Sequence, residues 1–482
     1  MKDLREKTIR GGFARIAAQG INFLVRFGSL VVLARLLGPQ EFGLVGMVTA
    51  FTGVLTLFRD FGLSSAAVQR GEVTEAQTST LFWINLLVGA VLGLITVAAA
   101  PAISAFYGEP KLLGVAIALA SGFVLNAAGV QHSVILLREL RFTTLAAVNT
   151  VSLLVSNALA IASAAAGFGY WALVIMMITN PLVTTIGCWV TTAWIPGRPQ
   201  RRVGLAGLAR FGGTVTLNGI VYYAACNFDK VLLGRVWGVE ALGLYGRAYQ
   251  LISIPSENLN SAASEVAFSA LSRLQADPVR LKNYFLKGYA LLLTLTIPVT
   301  LWCGAFADDV IIVALGSKWS EAAPVFRLLA PAMLGFAVVN PTHWLLIALG
   351  LVGRSLTMAL VIAPLMIAAF VAGLPYGPVG VATAYSTVML LWAIPALAWA
   401  VAGTPVSLRD MLVAISRPLA ASILAAACAA GARLLYLQAL SPMPRLVLES
   451  AIFFSIFAGT LVLAMGQRTL YLDLIRPARR AA

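Results

Sequence analysis

The chain alternates long apolar segments with short polar breaks along its whole length. About fourteen of the segments reach the roughly 20 residues that a helix needs to cross a bilayer. The breaks are too short to hold a soluble domain, and the longest lie near residues 194–208 and 306–322. Because helices satisfy their own backbone hydrogen bonds in lipid, the pattern predicts an all-α, polytopic membrane protein. The predicted spans lie near residues 15–37, 42–62, 79–101, 112–137, 143–166, 169–193, 209–234, 241–267, 283–305, 323–347, 353–373, 377–401, 412–436 and 446–467.

Composition and charge agree with this class. The 482 residues are 60% hydrophobic and 11% charged, whereas soluble domains carry about 25% charged residues. The net charge of +15 is typical of two situations, which are binding to nucleic acid and an excess of Lys and Arg in cytoplasmic loops. Most basic residues lie on one side of the predicted membrane, including the linker at 196–202. The distribution therefore predicts a plasma-membrane protein with both termini in the cytoplasm and no nucleic-acid partner.

Metal and cofactor chemistry has little support in the sequence. The four cysteines lie far apart, mostly within predicted spans, and no CxxC motif occurs. Neither His132 nor His343 has a metal-ligand neighbour four residues further on. We expect the cysteines to be small packing residues, and we predict neither a metal site nor a cofactor.

An internal repeat relates the two halves of the chain. Residues 34–46 read ARLLGPQEFGLVG and residues 234–246 read GRVWGVEALGLYG, with identities at a constant offset of 200. Both segments fall at the predicted turn between the first and second helix of a half. The pattern predicts two six-helix halves inserted in the same orientation, a common transporter design with the substrate site between the halves. The identical residues are Arg35 and Arg235, Gly38 and Gly238, Gly43 and Gly243, Leu44 and Leu244, and Gly46 and Gly246.

The repeat also predicts the domain organisation. Residues 1–208 form an N-terminal lobe of six helices, and residues 209–403 form a C-terminal lobe of six more. Residues 404–482 lie outside the repeat and contain two additional helices and a basic cytoplasmic tail.

Polar residues follow one face on four of the predicted helices. On the first helix they are spaced by four and three residues, which places them on a single face. The corresponding helices of the second half carry similar stripes. The stripes consist of Arg15, Gln19, Asn22, Arg26 and Ser29; Thr49, Thr52, Thr56 and Arg59, with Asp60; Arg210, Thr214, Asn218 and Tyr222, with Asp229 and Lys230; and Arg247, Gln250, Glu257 and Ser261.

A charge at the centre of a bilayer costs about 2.5–3.5 kcal/mol and normally faces a water-filled cavity or a partner. The stripes therefore suggest a cationic cavity between two lobes, suited to an anion such as phosphate. Arg59 could instead reach the interface from a helix end, and Asp229 could simply neutralise Lys230, so both roles stay open. The candidate substrate-binding residues are Arg26, Arg59, Arg247, Asn22, Gln19, Gln250 and Lys230, and the candidate ion-coupling residues are Asp229, Glu257 and Asp60.

Several motifs resemble the signature of bacterial polysaccharide flippases. They are LARLLGPQEFGLVGMV at 33–48, RDFGLSSAAVQR at 59–70, LRELRFTTLAAVNT at 137–150, GFGYWALV at 167–174, NFDKVLLGRVWGVEALGLYGRAYQLISIPSENL at 227–259 and ALSRLQADPVRLKNYFLKG at 270–288. The chain is similar to the WzxC-like branch of the MOP flippase superfamily, which also contains lipid II flippases and MATE drug exporters. The resemblance covers about residues 10 to 400.

The resemblance implies a two-lobed, V-shaped fold with twelve to fourteen helices in the bacterial inner membrane. It implies transport of an undecaprenyl-diphosphate-linked oligosaccharide from the cytoplasmic to the periplasmic leaflet by alternating access. Lipid II flippases carry cavity arginines on the first, second and eighth helices, where this chain offers Arg26, Arg59 and Arg247. The acids of the stripes could bind H⁺ or Na⁺ as a coupling ion, and membrane lipid surrounds the protein. The sequence leaves open whether the protein works alone or beside a polysaccharide polymerase.

Two other functions are less consistent with the sequence. A MATE-type exporter of small organic cations would favour acids and aromatic residues in its cavity, whereas basic residues are prominent on these stripes. A membrane enzyme of polysaccharide assembly usually has a large outer loop with catalytic residues. The outer loops here are short, and adjacent Asp308 and Asp309 are typical of a solvated loop end. We therefore expect a transporter and predict no catalytic residues.

Overall fold

The computed structural model describes residues 20–58, 74–200, 206–275 and 277–465. The described residues fold into helices joined by short connections, and they contain no strand. This agrees with the predicted all-α class. The backbone separates into two compact units, Met1–Gly243 and Leu244–Ala482. The boundaries predicted for the two lobes and the C-terminal extension stay a prediction.

The described residues of the first unit form six helices and part of a seventh. The described part of helix α1 covers residues 20–36. The others are α2 (Pro39–Phe58), α3 (Glu75–Tyr107), α4 (Lys111–Arg138), α5 (Phe142–Ala165), α6 (Trp171–Thr192) and the start of α7 (Ala206–Arg273).

In the second unit, the part of the chain that the structure describes forms the rest of α7 and eight further helices. Helix α9 and helix α11 are short, while the others are long enough to cross much of a bilayer. They are α8 (Pro278–Ala305), α9 (Ala307–Ala314), α10 (Ala322–Val339), α11 (Thr342–Ala348), α12 (Val352–Gly373), α13 (Gly377–Val401), α14 (Leu408–Ala432) and α15 (Pro442–Gly459). A π-helical turn, Arg433–Leu437, extends α14.

Ten stretches of the described residues are long and apolar enough to span a membrane. One of them, Gly353–Val401, contains most of α12 and all of α13. The described part of α1 and the whole of α7 fall outside this set. These are also helices that carry the polar stripes, since α1 contains Arg26 and α7 contains Asp229, Lys230 and Arg247.

The range α7 consists of two helices that meet at a kink, in agreement with the two separate spans that the sequence pattern predicts. Its backbone is helical throughout except at Gly238, which has φ +80° and ψ −170° and kinks the helix. A positive φ is readily adopted only by glycine. At the same place in the other repeat, Gly38 lies in the break between α1 and α2. The repeat therefore places a helix-breaking glycine at both positions.

Small residues allow the helices of the first unit to pack closely. A Cβ added to Gly89 on α3 would lie 2.5 Å from the Cβ of Ala127 on α4. A Cβ on Gly129 would lie 2.4 Å from the hydroxyl of Thr185 on α6. Thr185 also donates a hydrogen bond of 2.7 Å to the carbonyl of Leu125. Close backbone approach and short polar contacts of this kind hold helices together where lipid provides no hydrophobic driving force.

Close approach at glycine and hydrogen bonds between helices also occur in the second unit, beside large buried side chains. Tyr289 on α8 is fully buried and donates a 2.9 Å hydrogen bond to the carbonyl of Val338 on α10. A Cβ on Gly335 would lie 2.9 Å from the carbonyl oxygen of Met389 on α13. These contacts join α8, α10 and α13 into one helical layer within the unit.

One sequence-based interpretation is wrong. The pattern predicts Asp308 and Asp309 at a solvated loop end, but both belong to helix α9. Asp308 is partly exposed and pairs with Arg327 at 2.6 Å, whereas Asp309 is fully buried. The reason is a partner distant in sequence, because Arg445 on α15 donates two hydrogen bonds to the Asp309 carboxylate.

Candidate functional site

The polar stripe of α1 faces protein on both sides of Arg26. Asn22, one turn before it, accepts a 3.2 Å hydrogen bond from the hydroxyl of Thr150 on α5. Ser29, one turn after it, is buried and donates to the carbonyl of Val25 at 2.7 Å. Arg26 itself is exposed, and its guanidinium makes no hydrogen bond or ion pair with the described residues. A charged side chain is thus exposed on a face whose neighbours contact protein.

The hydroxyls of the α2 stripe bond to their own helix. Thr49, Thr52 and Thr56 donate to the carbonyls three or four residues earlier, at 3.1, 3.1 and 2.6 Å. Such back-bonding satisfies a hydroxyl without a ligand or a second helix. Helix α7 contacts α2 at this stripe, because the Tyr223 hydroxyl on α7 donates a 3.3 Å hydrogen bond to the carbonyl of Thr49.

The first part of α7 holds a charged pair that is among the predicted candidates. Asp229 is buried, and one carboxylate oxygen accepts a 2.8 Å hydrogen bond from the backbone amide of Lys230. The Lys230 ammonium donates to the side-chain oxygen of Asn227 at 2.7 Å. Both charged groups are therefore held by polar contacts within one turn of the helix, beside the face that Tyr223 places against α2.

The second unit contributes the remaining described candidates. Arg247 is partly exposed and donates a hydrogen bond to the side-chain oxygen of Gln250, one turn further along α7. This contact joins two residues of the predicted stripe. Glu257 is exposed on the same helix. The predicted candidates Gln19, Arg59 and Asp60 lie outside the described residues.

The most specific geometry occurs where the two repeat segments meet within the first unit. A Cβ on Gly43 would lie 1.8 Å from the carbonyl oxygen of Val239, and a Cβ on Gly243 would lie 1.9 Å from that of Pro39. The two contacts are equivalent, because Gly43 and Gly243, like Pro39 and Val239, are separated by the repeat offset of 200. Between them, the Gln40 amide donates a 3.3 Å hydrogen bond to Glu240, again residues separated by 200. We call residues 39–43 and 239–243 the repeat contact.

Aromatic residues at the end of α3 pack beside the repeat contact. The Arg235 guanidinium lies 5.4 Å from the ring centroid of Phe106, within the range of a cation–π interaction. A Cβ on Gly234 would lie 2.9 Å from the Tyr107 ring and 3.4 Å from Met47. Helices α2, α3 and α7 therefore converge at one end of the unit, which the predicted topology places at the outer side of the membrane.

Sequence reasoning found this segment but missed what it does in the fold. The identities at Gly43 and Gly243 predict equivalent turns, while the structure shows that the two segments contact each other. Glycines on membrane helices permit close backbone approach, but the repeat offset does not indicate which segment each glycine meets. Tyr223 and Thr150, which bring α7 to α2 and α5 to α1, carry no comparable signal in the sequence.

Comparison with known proteins gives a family match over residues 32–324, more than half of the chain, to polysaccharide biosynthesis proteins. The lipopolysaccharide biosynthesis protein WzxC of Escherichia coli (strain K12) is 27% identical over 72% of this chain and 70% of its own length. The teichuronic acid biosynthesis protein TuaB of Bacillus subtilis (strain 168) is 28% identical over 60% of this chain and 61% of its own. The succinoglycan biosynthesis transport protein ExoT of Rhizobium meliloti (strain 1021) is 25% identical over 64% of this chain and 62% of its own length.

Solved structures show which fold this is. The lipid II flippase MurJ matches with a TM-score of 0.73 and 14% identity, over 97% of this chain and 100% of its own. A multidrug resistance MATE transporter of the MOP superfamily matches with a TM-score of 0.64 and 15% identity, over 84% of this chain and 99% of its own. The chain therefore belongs to the polysaccharide biosynthesis protein family, as a multi-pass membrane protein with the fold of the MOP superfamily, which confirms its resemblance to the polysaccharide flippases.

Proposed function

We propose that this protein moves undecaprenyl-diphosphate-linked oligosaccharide units from the cytoplasmic to the periplasmic leaflet of the bacterial inner membrane. Both termini are cytoplasmic in this proposal, and the units are built into a surface polysaccharide by a polymerase. Family membership supports the polysaccharide, and the fold that it shares with a lipid II flippase supports a lipid-linked form. The observation that carries the proposal is the exposed Arg26, between protein-facing Asn22 and Ser29 in an apolar helix.

Arg26 has the chemistry that a diphosphate group requires. A guanidinium stays charged at all physiological pH values and forms paired hydrogen bonds to phosphate oxygens. Arg59 and Arg247 would supply further positive charge, while Gln19, Asn22, Gln250 and Lys230 would bind sugar hydroxyls or phosphate. In the same proposal, a coupling ion would bind at Asp229, Glu257 or Asp60. Of the two that the structure describes, Asp229 is buried and Glu257 is exposed, so Asp229 offers the carboxylate better shielded from water.

The repeat contact supports alternating access. Repeats in the same orientation can rock against each other about an axis along the membrane normal. At the repeat contact, equivalent segments touch through glycines at the predicted outer end of the unit. We propose that this contact closes the outer end in one state and separates in another, so that the substrate reaches one leaflet at a time.

A second candidate function is the export of small organic molecules, favoured by the fold shared with the multidrug MATE transporter. The two functions differ in what accumulates when the protein is absent. A flippase mutant retains lipid-linked oligosaccharide at the inner leaflet and loses surface polysaccharide. An exporter mutant becomes sensitive to organic cations and makes polysaccharide normally.

The test uses a deletion strain that produces wild-type protein, Arg26→Ala or Arg26→Lys at equal membrane levels. We expect Arg26→Ala to abolish surface polysaccharide and to accumulate lipid-linked oligosaccharide, with partial rescue by Lys. Arg280→Ala is the matched control, because this arginine is 79% exposed and pairs with neighbouring Asp277 at the start of α8. Normal polysaccharide in Arg26→Ala would remove this residue from the site. Unchanged polysaccharide and lipid intermediates in the deletion itself would overturn the flippase function.

A further inference from the structure

A buried charge cluster joins the two C-terminal helices to the end of α8 and to α9. Asp309 on α9 is fully buried. Arg445 on α15 donates to it through Nε at 2.9 Å and through Nη2. Arg433, in the π-helical turn after α14, approaches the same carboxylate at 3.4 Å. Asp309 therefore has contacts from two guanidinium groups, and neither of its oxygens lacks a partner.

Glu449 on α15 belongs to the same cluster but is held much less well. Its side chain is fully buried, yet neither carboxylate oxygen has a hydrogen-bond partner among the described residues. Its nearest cation is the Nε of Arg433, at 3.7 Å. Arg433 is thus shared between two carboxylates, and the closer of the two is Asp309. A buried ionised carboxylate without hydrogen bonds is costly, and protonation is the usual way to relieve that cost.

Arg445 is a second cation that faces Glu449, but its guanidinium donates its hydrogen bonds to Asp309. Trp302 on α8 contacts Phe454 on α15, and Phe306, between α8 and α9, contacts Phe453 on α15. On α9 and α10, Asp308 and Arg327 pair with each other at the exposed side. The charged groups facing Glu449 among the described residues are Asp309, Arg433 and Arg445.

A metal cation fits this pocket poorly, whereas a proton fits well. Sodium and divalent cations need several oxygen ligands, and the described residues contain no group of three or more His, Cys, Asp or Glu side chains that could hold a metal ion. The nearby Ser450 hydroxyl already donates to the Leu446 carbonyl at 2.6 Å and accepts from Trp302 at 3.1 Å. A proton needs one carboxylate oxygen and a path to water, and the 25% exposed Arg433 side chain marks such a path.

We propose that Glu449 is a proton-binding site, and that its protonation releases Arg433 to Asp309. The Glu449 carboxylate takes the proton from water at the predicted outer surface and becomes a neutral carboxylic acid. The contact between Glu449 and Arg433 then loses its ionic character, while the bond between Arg445 and Asp309 persists. The π-helical turn is held to α15 through Glu449 only in the deprotonated state. This site is separate from the stripe residues and does not depend on the proposed function.

Infrared difference spectroscopy on the purified full-length protein in lipid nanodiscs tests proton binding directly. Between alkaline and acidic buffer, we expect wild-type protein to gain a carboxylic-acid C=O band that Glu449→Gln lacks. Asp308→Asn is the matched control, because it removes an exposed carboxylate on the neighbouring helix and should keep the band. Should Glu449→Gln fail to fold, Glu449→Asp replaces it and should shift the band. Coincident difference spectra for wild type and variant would mean that Glu449 keeps one protonation state in both buffers, which overturns the proposal.

Hydrogen–deuterium exchange tests the release of Arg433. In alkaline buffer, Glu449→Gln mimics the protonated side chain, so peptides containing residues 433–441 should exchange several-fold faster than in wild type. Asp308→Asn should leave their exchange unchanged. Equal exchange in Glu449→Gln and wild type would show that the turn does not depend on this charge. Both measurements need no substrate, so their failure leaves the proposed transport function to its own test.

Discussion

Gly43 on α2 approaches Val239 on α7 so closely that a Cβ would lie 1.8 Å from the Val239 carbonyl oxygen. The equivalent glycine of the second repeat, Gly243, has the same relationship to Pro39, at 1.9 Å. Real Cβ atoms do not approach a backbone oxygen to this distance. The two backbones can therefore meet only because both positions lack a side chain. Residues 39–43 contact residues 239–243 in the same way that residues 239–243 contact residues 39–43. This reciprocity indicates an approximate local two-fold axis through the repeat contact.

We predict that Gly43→Ala and Gly243→Ala each impair transport strongly. The added methyl group would push the segments apart, and overpacking of this kind costs about 1–3 kcal/mol. That shifts the equilibrium away from the closed repeat contact by roughly 5- to 150-fold, since each 1.4 kcal/mol is a factor of about ten. Surface polysaccharide in a complemented deletion strain measures the effect.

The neighbouring repeat pair provides matched controls. A Cβ on Gly46 would lie 3.6 Å from Leu242, an ordinary contact, and a Cβ on Gly246 would meet nothing within 4 Å. We therefore expect Gly46→Ala and Gly246→Ala to make near-normal polysaccharide. Full activity in Gly43→Ala, at equal membrane level, would show that the close approach is not needed for transport.

Cross-linking should trap the repeat contact in its closed state. We predict that Gln40→Cys with Glu240→Cys is joined by a short bifunctional thiol reagent, because the native side chains lie 3.3 Å apart. The four native cysteines are replaced by alanine beforehand. If the contact must separate during transport, cross-linking stops polysaccharide export, and reduction of a cleavable cross-link restores it. Each single-cysteine variant treated in the same way is the control, and a cross-linked protein that still transports would contradict the mechanism.

The hydrogen bond between Thr150 and Asn22 should contribute measurably to stability. We predict that Thr150→Val lowers the free energy of unfolding by about 0.5–2 kcal/mol, the range for polar contacts between membrane helices. Thermal unfolding of the purified protein in detergent provides the measurement. Ser163→Ala on the same helix is the control, because the Ser163 hydroxyl bonds to its own helix, at 2.7 Å from the Leu159 carbonyl. Equal losses in both variants would show that the contact between helices adds nothing.

The start of α14 offers a contrast between an ion pair and a helix cap. Asp410 pairs with Lys282 on α8 at 2.7 Å, and it also accepts hydrogen bonds from the Ser407 amide and hydroxyl, at 2.9 and 2.6 Å. Both charged groups are partly exposed, so the pair alone is worth about 0–1 kcal/mol. We predict that Lys282→Ala is nearly neutral in thermal unfolding, while Asp410→Ala costs about 1 kcal/mol more through loss of the capping box. A larger loss in Lys282→Ala than in Asp410→Ala would reverse this assignment.

The length and apolarity of the segments were enough to predict an all-helical membrane protein. Insertion in lipid depends on roughly 20 consecutive residues, which is a local property that a sequence displays directly. The glycine at 238 and its repeat equivalent at 38 were also visible as matched positions. In both repeats the helix is interrupted at this glycine, between α1 and α2 and within the range α7, as the pattern predicts.

The face of α1 that carries Arg26 was predictable from helical periodicity, because residues three and four apart share one face. Only the tertiary structure decided that Asn22 and Ser29 on this face contact protein while Arg26 remains open. The same distinction applies to Asp309, whose adjacent acidic neighbour suggested a solvated loop. Its burial depends on Arg445, 136 residues further along the chain. Local sequence determines which residues form a helix, but the environment of a charge is determined by distant side chains that packing brings to it.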